Sequence, residues 1–439
     1  MKKRSWGAFI ASVWLFVPGP PHLPDFRGLA ASVDAAQIPF ERVTADLSSP
    51  DASVRLRAAQ LLKDAAYPEA AVPLAKLVTD PDDHVQIEAI AAELNIFLAE
   101  KVVTRKRVGL VVEVRNRVVA EAAFSLGPLA IGPHPVPDEV LTALRAAGHD
   151  TNPRVAIEAL YAFGTLAIEP AGARRRELLR TAGPDVIAMI GVADPAFRQA
   201  AIRVIGRVFE RRAQDNPIEE SIGDAIVSAL NDRERSVRIA AMQTLGAMGY
   251  ERAVQSLTEQ LQYFGRGEPA EAAVGALARI AHPSSVPVFS AQLTSKNAAM
   301  KAIAIEGLAR IGDRGRLATI ESALNGETNE GVLLAGTFAA VVLSNSPIEP
   351  LAEALRKPRL ADQARRYLVE VAPGRSAAFA RHAQDPDVQI RSSVADVLGI
   401  AGDVTALPIV ESLVRDRDPQ VVRAAERAVA RLQAIRRAT

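Results

Sequence analysis

Asp80, Asp82, Asp83 and His84 form the densest cluster of metal-ligand side chains in the chain. Carboxylates and an imidazole are the groups that hold divalent cations. Capping is the stronger reading, because Asp80 opens a helical segment and other such segments open on Asp with no second ligand nearby. An Asp at a helix start accepts bonds from unpaired N–H groups, and acidic residues in a first turn complement the helix dipole. His134, His149, His282 and His382 are far apart, each near an expected loop or helix end, and none forms a pair at helical spacing. With no cysteine, thiol catalysis, thiolate zinc sites and disulfides are excluded. No Gly-x-Ser-x-Gly elbow, phosphate-binding loop or dinucleotide fingerprint is present. The sequence therefore offers no catalytic, cofactor-binding or metal-binding residue, and a non-enzymatic role is expected.

Charge gives one partner-binding candidate. Lys101, Arg105, Lys106, Arg107, Arg115 and Arg117 are the most distinctive basic set and could attract an acidic partner or anionic lipid. A solvated helix face is the favoured explanation of such a run, because it is the default for surface charge. Arg423, Arg427, Arg431, Arg436 and Arg437 form a second basic cluster on or after the final helix, where a terminal unit needs a polar outer surface. Overall the charges nearly cancel, 52 Lys plus Arg against 51 Asp plus Glu. A nucleic-acid binder shows a basic excess or stripe, so nucleic acid is not an expected partner.

The elements that would position these residues are helices. Nearly half the chain is apolar but only 5% is aromatic, so any core consists of Ala, Val, Leu and Ile. From Phe40 onward short amphipathic segments recur. Start signals stand at Asp51, Asp80-Pro81, Asn152-Pro153, Asp194-Pro195, Asp232, Asp385-Pro386 and Asp418-Pro419. Proline is tolerated in a first turn because its missing N–H would have no partner there. Gly312-Asp313 and Gly402-Asp403 read as the turn inside a helix pair, Gly ending one helix in the left-handed conformation and Asp capping the next. Pro73, Pro287 and Pro408 mark the starts of second helices. Residues 101–138 break the rhythm with a Val-rich stretch and a Gly/Pro run; a lengthened second helix plus loop is expected, with a short β-hairpin as the alternative.

Residues 1–17 have the pattern of an export signal: Lys2, Lys3 and Arg4, then an uncharged run from Trp6 to Val17 too short to span a bilayer. Val33-Asp34-Ala35 predicts cleavage after Ala35, with an uncleaved anchor as the alternative. A periplasmic or secreted location follows, and the leader and the basic set offer routes to membrane contact. Both tryptophans, Trp6 and Trp14, fall in the leader.

The units, with Asp-Pro, Val-x-Arg, a small pair, Leu, Gly-Asp and Ala-x-Pro-Leu or its relatives, resemble HEAT repeats, especially the short bacterial form of phycobilisome lyase subunits. The resemblance implies an all-α fold in which residues 36–439 form an α-solenoid, a superhelix of about eleven stacked antiparallel helix pairs on the order of 100 Å long. It also implies a concave face, lined by second helices, that binds another protein. The iron-dependent hydroxylase branch uses His-Glu dipeptides, which this chain lacks, and the glycosylase branch needs a basic channel that the charge balance does not supply. A lyase-like enzyme or enzyme subunit holding a small molecule in the groove is the alternative function.

Overall fold

The computed structural model describes residues 40–98, 119–127, 131–132, 134–168, 172–211 and 218–438. Helix α1 (Phe40–Asp46) leads into α2 (Ala52–Ala65) and α3 (Ala71–Ala75), followed by α4 (Asp83–Phe97), α5 (Val119–Leu126) and α6 (Asp138–Ala147). Helix pairs then succeed one another: α7 (Pro153–Leu166) with α8 (Gly172–Ile190), and α9 (Pro195–Val208) with α10 (Glu220–Ser228). The next are α11 (Arg235–Met248) with α12 (Val254–Phe264), and α13 (Glu268–Ile280) with α14 (Val286–Gln292). After α15 (Ala298–Ile311) with α16 (Leu317–Ala323) comes α17 (Glu330–Ser344) with α18 (Glu349–Ala354). Helix α19 (Ala361–Val371) is followed by two short 3₁₀ turns, and α20 (Val388–Ala401) with α21 (Leu407–Leu413) precedes α22 (Pro419–Ala438).

The first helices stack in sequence order: α2, α4, α7, α9, α11, α13, α15, α17, α19, α20 and α22. Among the described residues this layer has eleven members. The expected all-α solenoid of stacked pairs is the observed fold. No pair could bury its apolar stripe alone, so each acquires a dry face from its neighbours. Helix α22 also meets α8.

Small residues set the stacking distance. A Cβ added at Gly246 in α11 would lie 2.7 Å from Ala276 Cα in α13, and one at Gly399 in α20 would lie 2.7 Å from Ala428 Cα in α22. The turns follow the expected chemistry. Gly312 and Gly402 adopt φ of +79° and +74°, and Asp313 and Asp403 accept bonds from Gly315 and Thr405 N–H.

Three starts shift. Asp82, not Asp80, caps α4; Glu234, not Asp232, stands at the cap position of α11; and Asp387, not Asp385, caps α20. In each case the aspartate two residues earlier has another task. Hence Asp385 corresponds to Asp416, while Asp387 corresponds to Asp418, whose carboxylate accepts from Gln420 N–H.

In the region around 101–138, α4 stops at Phe97, Leu98 and Ile131 form an isolated antiparallel bridge, and Gly132 N–H donates to the Phe97 carbonyl at 2.7 Å. No strand occurs among the described residues. Helix α5 is separate from α6 and lies against α7, a helix buried from Val155 to Leu166 save Ile157. Ala120 N–H donates to the Glu158 carboxylate at 2.9 Å across this contact.

Candidate functional site

Arginine recurs at a fixed place, four positions after the cap. Arg55, Arg198, Arg238 and Arg391 occupy it in α2, α9, α11 and α20. In Arg55, Arg198 and Arg391 the guanidinium does two things. One terminal nitrogen donates to the two carbonyls just before the cap: Ser49 and Pro50, Val192 and Ala193, or Asp385 and Pro386. The remaining two nitrogens form a bidentate pair with the aspartate two residues before the next unit's cap, at 2.7 and 2.8 Å for Asp80, 2.8 and 2.9 Å for Asp232, and 2.7 and 2.9 Å for Asp416. Planar fork against planar carboxylate is the geometry that favours Arg.

The aspartates are shared between units. Asp80, Asp232 and Asp416 also accept the N–H of Asp82, Glu234 and Asp418. The Arg198 guanidinium holds the Asp232 carboxyl below the usual carboxylate range, and Arg391 does the same to Asp416. Variants fill other places. Gln86 donates to Asp150 at 2.9 Å, and Lys301 donates to Glu327 at 2.7 Å, holding that carboxyl down at about 2. Arg356 reaches Asp385 from the loop after α18 at 2.6 Å. The Asp80–His84 cluster is accounted for: Asp80 serves Arg55, Asp82 accepts from His84 and Val85 N–H, and Asp83 accepts from Asn152.

The series of cross-ties is interrupted at several places: in α11 Arg238 reaches the carbonyls of Asp232 and Arg233, but Gly265 stands where its partner carboxylate would be. Helix α7 carries Ala156 at the arginine position, and Val192 stands where the next unit would hold aspartate. Helix α17 carries Leu333 there, with Pro358 two residues before Leu360. Cavities lie at the α7 and α17 breaks. One, of about 240 Å³, is lined by Gly148, His149, Asp150, Thr151, Pro153, Ala156, Ala188, Met189, Val192, Asp194 and Phe197. The other, of about 460 Å³, has Leu333, Leu334 and Leu360 in its wall and Glu330, Glu353, Arg356 and Lys357 at its rim. Val192 and Leu333 are each 40% exposed. Other large exposed apolar residues include Val72 in α3 and Tyr263 near the end of α12, the latter 80% exposed with its ring edge-on to Phe264.

Two polar–aromatic clusters join first helices further along their length. Arg203 donates to Glu121 and to Tyr161 Oη and lies over the Phe124 ring, joining α9 to α5 and α7. Arg310 makes a bidentate pair with Glu370 at 2.8 Å, while Tyr367 Oη donates to Glu306 at 2.6 Å and stacks on Phe338. Burial raises the Tyr367 phenol well above its ordinary value. These networks are paired and read as structural. Glu93 in α4 is different: it is fully buried, neither carboxylate oxygen has a hydrogen-bond partner among the described residues, and burial pushes its carboxyl well up.

Arg105, Lys106, Arg107, Arg115 and Arg117, with Lys101, lie outside the described residues, as does the leader of residues 1–35. In the C-terminal cluster Arg427 does not point outward but donates to Asp396 in α20 at 3.0 Å. His382 is buried at a helix end, where desolvation lowers its imidazole, and His282 caps a turn by accepting from Ser284 N–H. Among the described residues no group of three His, Asp or Glu is arranged to hold a metal ion.

Residues 183–263, from the end of α8 through α12, match the family model described as HEAT repeats. The repeats are HEAT-like. Several solved structures are similar to the chain. An engineered protein is 18% identical, with 90% of this chain and 98% of that chain covered and a TM-score of 0.40. Importin beta is 18% identical over 91% of this chain and 51% of that one, at a TM-score of 0.36. The complex of CpcE and CpcF of phycocyanin lyase from Nostoc sp. is 17% identical over 58% of this chain and 94% of that one, also at 0.36. No curated protein matches the chain. Among the described residues no helix is long and apolar enough to cross a membrane.

Proposed function

We propose that the chain is an exported, non-enzymatic HEAT-like scaffold that binds another protein along its second helices, the concave side in HEAT-type stacks. The observation that carries this reading is the solvent-facing Tyr263 on α12, which with the exposed Val72 on α3 places apolar side chains on two second helices. Isolated exposed apolar residues are ordinary, but a solvent-facing tyrosine backed by a second ring is the kind of anchor that dominates protein interfaces. Export rests on the basic start and apolar run of residues 1–17.

Affinity purification of the mature protein from the envelope fraction tests both parts. We expect a protein partner in stoichiometric amount, an N-terminus at Ala36 and no tryptophan fluorescence. Tyr263→Ser should reduce recovery of the partner at least tenfold while the helical circular dichroism stays unchanged. Repeated recovery of no partner removes the scaffold reading, and a cytoplasmic protein that retains Trp6 and Trp14 removes export.

A further inference from the structure

The cavity beside Ala156 sits where four other units, those of Arg55, Arg198, Arg238 and Arg391, place a guanidinium. In α2, α9 and α20 the arginine four positions after the cap runs back to the two carbonyls before that cap. The equivalent carbonyls before α7 belong to Asp150 and Thr151, and both residues line the cavity. Ala156 has nothing to donate to them. The space is therefore a guanidinium site without its arginine.

We propose that this cavity receives an arginine side chain of the protein partner; the inference rests on the scaffold reading and names a contact within it. Three features fit that guest. Ala156, Met189, Val192 and Phe197 supply apolar wall for a methylene stem. The carbonyls of Asp150 and Thr151 take the place of the paired carbonyls that receive Arg55, Arg198 and Arg391. Asp194, also in the lining, caps α9 through Oδ1 and brings a carboxylate, which Arg198 also feels, to the cavity where Val192 has none. No lysine or arginine lines the cavity. The break at Leu333 is not equivalent, because leucine fills the arginine position and Arg356 and Lys357 already line that cavity.

The probe is Nα-acetyl-arginine amide, with the citrulline analogue as its uncharged control, titrated into the full chain with isotope-labelled methyl groups. The arginine compound is expected to shift the Met189, Ala156 and Val192 methyl signals saturably, with at least tenfold weaker effect from citrulline. Ala156→Arg supplies the missing group from within and should abolish the response; the fold already accommodates this residue at Arg55, Arg198 and Arg391. Ala156→Met fills the space without charge and should also abolish it, so the test survives if one variant folds poorly. Equal response to citrulline, or an undiminished response in both variants, overturns the proposal. In partner purification, loss of the partner from Ala156→Arg supports the arginine contact. Undiminished recovery overturns that contact and leaves the scaffold standing. Failure to recover any partner removes the scaffold alone, since the titration still decides whether the cavity takes a guanidinium.

Discussion

Arg391 in α20 and Asp416, two residues before the cap of α22, face each other across adjacent units with two parallel hydrogen bonds of 2.7 and 2.9 Å. Their side chains are only 14% and 11% exposed. The same arginine carries the carbonyls of Asp385 and Pro386, so one side chain closes its own unit and ties it to the next.

Arg391→Ala should therefore cost more than an ordinary surface pair. It leaves a largely buried carboxylate and two carbonyls without donors, and a loss of about 2 kcal/mol is expected. Arg391→Lys should recover less than half, because one ammonium cannot serve both the fork and the carbonyls. Urea unfolding of the two variants gives the comparison. Equal stability of wild type and Arg391→Ala would remove the cross-tie from the account.

These pairs also fix the acid response. The folded carboxyls of Asp232 and Asp416 lie below their unfolded values because Arg198 and Arg391 favour the ionised form. Their contribution is present above the unfolded carboxyl value and is lost as pH falls through the folded one. Melting temperature should drop on acidification below about pH 4. Asp416→Asn should show a shallower drop.

Glu93 works in the opposite direction. Its folded carboxyl is raised by burial, so its contribution is fully present below the unfolded value and is lost as pH rises through the folded one. Glu93→Leu should stabilise the protein at pH 8 by about 1–3 kcal/mol by removing an unpartnered buried polar group. The gain should shrink toward pH 5. A destabilised Glu93→Leu across the whole range would show that the carboxylate has a partner after all.

Two helical glycines should respond with opposite sign. Gly246→Ala drives a Cβ to 2.7 Å from the α13 backbone and should destabilise by about 1–3 kcal/mol through overpacking. An added Cβ at Gly275 in α13 meets nothing within 4 Å, so Gly275→Ala should stabilise by about 0.5–1 kcal/mol through helix propensity. Calorimetric melts of the pair distinguish contact from propensity.

Capping chemistry made the helices legible in the sequence: Asn152-Pro153 and Asp194-Pro195 begin α7 and α9 where the pattern places them. Asp-x-Asp misled by two residues at Asp80 and Asp385, since both aspartates of such a triplet look like caps when tertiary partners are unknown. The cross-tie was visible only as half a signal. Val54-Arg55 and Ile390-Arg391 stood in the repeat pattern, but their partners Asp80 and Asp416 lie 25 positions on and belong to the next unit. The cavity at Ala156 had no signal of its own; it becomes apparent only as a departure from what Arg55, Arg198 and Arg391 do. Glu93 was equally hidden, because a carboxylate among apolar residues on a helix does not announce which side faces inward.

Gln86 and Asp150 are 64 positions apart, yet their bond repeats the tie that Arg55 and Asp80 make across 25. The extra passage after Phe97 has been spliced in without loosening the seam on either side. That junction is thus a natural graft point: a small foreign domain whose ends lie close together could be seated there as cargo, leaving the register of the repeats intact.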